Sequence, residues 1–108
     1  MTSAQPPARL SASPVFDVVL RGFNRAQVDD LIDRTSFTVA VLTGSPVYSD
    51  TPFPELPEEQ RPAPISAEEL RTAGLDLVLR GYDRAQVRDV LSGLVERLSD
   101  AESRASRG

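Results

Sequence analysis

One stretch of this chain is written twice. Residues 16–30 read FDVVLRGFNRAQVDD and residues 75–89 read LDLVLRGYDRAQVRD, with 10 of the 15 paired positions identical at a separation of 59 residues. A duplicated unit must adopt one local structure in both places, and a unit this short cannot bury an apolar face alone. It needs a second copy against it.

Each copy reads in three steps. An apolar lead-in, Val15–Leu20 in the first copy and Leu75–Leu79 in the second, is too short for a helix and reads as extended. An Arg-Gly turn follows, with Gly22 and Gly81 expected to reverse the chain because glycine reaches conformations that side chains forbid. Asn24 and Asp83 then stand where a helix N-cap is wanted, offering an oxygen to a free amide.

The period beyond each cap is helical. In the first copy Val28, Leu31, Ile32, Thr35, Val39 and Leu42 fall on one face, predicting a helix to about Leu42. Ser36–Val39 also has strand propensity and Phe37 falls off the seam, so residues 36–42 are open between helix and strand. In the second copy Val87, Leu91, Leu94, Leu98 and Ala101 step by four and three, the spacing of a coiled-coil seam. A helix of that length is marginal alone in water, so it should pair.

Around the copies the chain divides simply. Residues 1–14 read as a disordered tail, 15–42 as the first repeat, 43–64 as an acidic linker with six of the nine prolines, 65–103 as the second repeat and 104–108 as a frayed end. Val47, Tyr48, Phe53 and Leu56 are the linker residues able to pack on the helices. Ser66 and Glu69 fit a capping box that opens a short helix, and Gly74 suits its end.

Composition removes much chemistry. There is no cysteine and no histidine, and all 12 basic residues are arginine. Thiolate ligands, the commonest general base and a Schiff-base lysine are therefore missing. Asp29, Asp30, Asp33 and Asp89 alternate with the apolar seam and read as a solvated helix face. No catalytic, metal or cofactor-binding residue is expected. A net charge of −4 argues against nucleic acid as a partner. No apolar run spans a bilayer and MTSAQPPARL lacks a signal-peptide core, so a cytoplasmic protein is expected.

At LRGFNRAQVDDLID and LRGYDRAQVRDVL the sequence resembles the DivIVA domain of bacterial cell-division and polar-growth proteins. The second copy matches more fully, because ISAEEL at residues 65–70 resembles the short helix ahead of that domain's Arg-Gly-Tyr-Asp hallmark. The first copy has Phe23 for the tyrosine and Asn24 for the aspartate. The resemblance implies a non-enzymatic scaffold built on parallel helix pairs, at the inner face of the cell membrane. It places the membrane-contacting turn on Leu20 and Arg21, and on Leu79 and Arg80. Other cell-division or polar-growth proteins and anionic lipid are the implied partners. A soluble adaptor without membrane contact is the alternative.

The fold expected from all this is all-α: two lead-in, turn and helix repeats, paired along Val28, Leu31, Ile32 and Val39 on one side and Val87, Leu91, Leu94 and Leu98 on the other, as a small coiled-coil-like bundle. The two copies could pair within one chain, since over twenty linker residues can run back along the first helix, or the second seam could form a homodimer. The competing placement for the turns packs Leu20 and Leu79 onto the helix bases and leaves their arginines solvated or paired with Asp17 and Asp76.

Overall fold

The computed structural model describes residues 14–44, 47–48 and 57–107. In chain order the elements are β1 (Val18–Phe23), α1 (Arg25–Thr43), α2 (Ala67–Thr72), β2 (Leu77–Tyr82) and α3 (Arg84–Arg107), with a single 3-10 turn at Glu58–Gln60. The fold is mixed α/β, which overturns the all-α expectation. The lead-ins and turns of the two copies are not connecting straps on a helical bundle. They pair with each other as a two-stranded sheet.

The register joins Val18 to Tyr82, Val19 to Gly81, Leu20 to Arg80, Gly22 to Val78 and Phe23 to Leu77. Partner numbers fall as β1 advances, so the strands run antiparallel. Phe23 also pairs with Tyr82, its own counterpart in the second copy, in the parallel sense. A six-residue strand drawn straight would hold its ends about 17 Å apart, too far for one residue to reach both. β2 is therefore hooked, and so is β1, both ends of which pair with Tyr82; the two strands cross where Phe23 and Tyr82 meet.

At the crossing the backbones nearly touch. A Cβ on Gly22 would lie 2.4 Å from the Gly81 carbonyl carbon, and one on Gly81 would lie 2.2 Å from the Phe23 carbonyl oxygen. The glycines serve close approach of two strands, not the reversal anticipated for them. In the first copy the reversed conformation falls on Arg21, at φ 61°, which costs an L-residue about 1–2 kcal/mol.

From the crossing both helices leave in the same direction. Asn24 caps α1, its side chain accepting from the Gln27 amide at 3.1 Å, and Asp83 accepts from the Gln86 amide at 3.0 Å. Further along, both helices meet the same return segment. Arg34 donates to the carbonyls of Ala63 and Pro64 at 3.0 and 3.1 Å, and the Ile65 amide donates to Thr38 Oγ1 at 3.2 Å. The Ala67 amide donates to Glu102 of α3 at 2.9 Å. α1 and α3 are thus parallel, and the chain runs back beside them to start the second copy.

α1 stays helical through residues 36–42 and ends at Gly44, whose left-handed φ of 83° lets its amide bond to the Ala40 carbonyl. The capping box of Ser66 and Glu69 forms in both directions, at 3.1 and 3.0 Å. α2 ends at Thr72, before Gly74, and α3 continues through residues 104–107.

The core lies between α1, α2 and α3. Val28, Leu31, Ile32, Val39, Val87, Leu94 and Leu98 are buried in one cluster with Phe16, Val47, Ile65, Ala67, Leu70 and Ala101, and Leu91 packs half-buried against it. Phe37, off the seam, is buried too. Tyr48 of the linker packs on the cluster, whereas the tail ahead of Pro14 and the linker positions Phe53 and Leu56 lie outside the described residues.

Candidate functional site

The sheet does more than join two straps. It carries a set of contacts that repeats itself when 59 is added to each residue number. The Asn24 amide donates to the Asp76 carbonyl and the Asp83 amide donates to the Asp17 carbonyl, both at 2.9 Å. Gln27 donates through Nε2 to the Asp76 carboxylate at 2.9 Å and accepts the Asp76 amide on Oε1 at 2.8 Å. Gln86 does the same to Asp17, at 3.0 and 2.8 Å. Each copy grips the other reciprocally, so an approximate two-fold axis passes between them at the glycine crossing.

That axis gives one end of the molecule its character. The burial pattern along β1 and β2 is the same residue for residue. Leu20 is 69% exposed and Leu79 75%, and the hook residues Val18 and Leu77 beside them are 48% and 55% exposed. Arg21 and Arg80 stand in the same turns, both exposed, and neither forms an ion pair among the described residues. Burying a leucine contributes about 1.5–3 kcal/mol, which each exposed one forgoes. Four of the seven exposed large hydrophobics among the described residues stand on these two strands, with Arg21 and Arg80 beside the leucines in sequence.

The leucine packing of the competing placement does not form, whereas Arg21 and Arg80 are solvated, as one of its two options has them. Leu20 and Leu79 do not cover the helix bases, and Asp17 and Asp76 are held by Gln86 and Gln27. Gly22 and Gly81 sit buried at the crossing directly behind the exposed turns. Asn24 and Asp83 fix the point where each helix leaves them. The residues read from the sequence thus fall into two groups: Leu20, Arg21, Leu79 and Arg80 gather on the exposed end, and the seam residues lie beneath it in the core.

Sequence reasoning missed Gln27 and Gln86. Both stand in the RAQV run that is identical in the two copies, yet off the apolar seam, and Asp17 and Asp76 in the lead-ins are likewise identical. Identity at positions that face no core was the available signal.

Two of the acidic residues read as a solvated helix face have partners. Asp29 accepts the Tyr82 hydroxyl at 3.1 Å and Asp30 lies 3.8 Å from Arg34. Among the described residues no group of three acidic side chains could hold a metal ion, and no helix is long and apolar enough to cross a membrane. Comparison with family models, with curated proteins and with solved structures gives no match to this chain.

Proposed function

We propose that this protein is a non-enzymatic DivIVA-like scaffold or localisation module that docks on the cytoplasmic face of a bacterial membrane through its crossed turns, in cell division or polar growth. The observation that supports it is the end surface of Leu20, Leu79, Val18 and Leu77 with Arg21 and Arg80. Aliphatic tips flanked by guanidinium groups suit the boundary between lipid headgroups and acyl chains, where the apolar atoms leave water and the cations meet anionic phosphate.

Magnitude sets the kind of binding. Two leucines at about 1.5–3 kcal/mol each and two arginines at about 1 kcal/mol each sum to roughly 5–8 kcal/mol before the cost of immobilisation. The chain's net charge of −4 opposes approach to an anionic surface. Contact is consequently reversible and sensitive to salt.

The test is co-sedimentation with vesicles. The protein should pellet with vesicles rich in phosphatidylglycerol and stay in solution with phosphatidylcholine alone. A Leu20→Asp/Leu79→Asp variant should lose the binding while keeping its helicity. Unchanged binding by the variant refutes these turns as the contact. No binding by the parent favours a soluble protein-protein adaptor that uses the paired helices, without membrane contact.

A further inference from the structure

The two copies differ where they touch, and the differences match. Position 23 of the first copy corresponds to 82 of the second, and position 29 to 88. The first copy has Phe23 and Asp29; the second has Tyr82 and Arg88. Across the axis the Tyr82 hydroxyl donates to both oxygens of Asp29, at 3.1 and 3.3 Å. On the opposite side the Arg88 guanidinium lies over the Phe23 ring, 5.8 Å from its centre. A phenol meets a carboxylate and a plain ring meets a cation. Each aromatic residue has the polar group it can use.

We propose that Phe23, Asp29, Tyr82 and Arg88 form a pairing code: the first copy's surface fits the second copy and rejects another first copy, making the chain a closed, single-chain heterodimer of its own repeats. The two-fold relation dictates what a pair of first copies would bring together. Asp29 of each would face Phe23 of the other, setting a carboxylate against a ring with no hydroxyl to donate and a negative face. The buried seam argues in the same direction. Thr35 is fully buried with its hydroxyl unpaired, where the second copy has the buried Leu94. Two first copies would bury two such hydroxyls in place of one. The second copy supplies what the first cannot supply to itself, so the first copy's partner is specified as the second.

The forbidden contact can be built inside the intact chain. Arg88→Asp places a carboxylate over Phe23, as two first copies would. The folding equilibrium constant, from urea unfolding followed by circular dichroism, should fall by about fivefold to tenfold, the scale of a lost cation–π contact plus an unfavourable replacement. Adding Phe23→Tyr restores a hydroxyl for that carboxylate and should bring the constant back to within about twofold of the parent. Phe23→Tyr in the otherwise unchanged chain should give no gain. If Arg88→Asp does not fold, the double variant should still do so. The proposal is overturned by an unaltered Arg88→Asp chain, by a Phe23→Tyr effect that is equal in both backgrounds, or by a double variant that stays unfolded.

Discussion

Tyr82 shows how one atom can tie two halves together. Its ring tilts against Phe16 with centres 4.9 Å apart, and its hydroxyl reaches Asp29. Burial pushes its pKa above the usual tyrosine value, the Asp29 hydrogen bond and carboxylate charge push it further, and Arg25 opposes them. The fold thus favours the neutral phenol. Its contribution is complete below the unfolded value of about 10 and is lost as pH rises through the higher folded value. Tyr82→Phe should remove that loss: above pH ~10 the urea midpoint of the parent should fall more steeply than that of the variant. Parallel falls would mean that the hydroxyl is not coupled to folding. Thr35 is the opposite case, a buried hydroxyl without a partner. Thr35→Val keeps the shape and removes the orphan, and should stabilise the protein by about 1 kcal/mol in the same measurement. A lower midpoint would show that the hydroxyl is used.

The helices and the strands were not equally legible in the sequence. Asn24, Asp83 and the Ser66–Glu69 box are local signals, satisfied by residues within one turn, and each sits at the start of its helix as its chemistry requires. The seams were legible because helical periodicity needs only its own segment. The sheet was not, because a strand is completed by its partner. Val18–Phe23 finds that partner 59 residues away, and nothing within the lead-in distinguishes it from a solvated strap. Gly22 and Gly81 read as turn residues, but their real constraint, backbone packed on backbone, exists only once the copies cross. The glutamine clamps have the same origin. Gln27→Ala and Gln86→Ala each remove two exposed hydrogen bonds to the other copy, so each should cost about 1 kcal/mol. The reciprocal geometry further requires the two losses to agree within a few tenths of a kcal/mol in chemical denaturation. A cost confined to one of them would mean that the grip is one-sided.

The molecule as a whole behaves as a dimer that has been written into one chain. Its crossing and its core both draw on the two copies, and its apolar end surface is assembled from both hooks. Neither copy owns a core. Val28 and Val87, equivalent by position, are each fully buried in one shared cluster that also takes in Leu70 of α2. A shared core implies shared cooperativity, because opening α1 strips the cover from α3 and unthreads the strands. Val28→Ala and Val87→Ala should therefore each lower the same single unfolding transition by about 2 kcal/mol. Amide exchange should report the coupling directly: truncation in α1 should speed exchange in α3 as much as in α1, and the converse. Covalent linkage through the return segment makes the partner's effective concentration about millimolar. The midpoint should then be independent of protein concentration from micromolar upward, and light scattering should give the mass of one chain. Two separate transitions, or exchange that stays local to the mutated helix, would mean that each repeat stands alone. The exposed leucines would then belong to two independent surfaces, and the additive binding argument for the crossed turns would fail with the shared core.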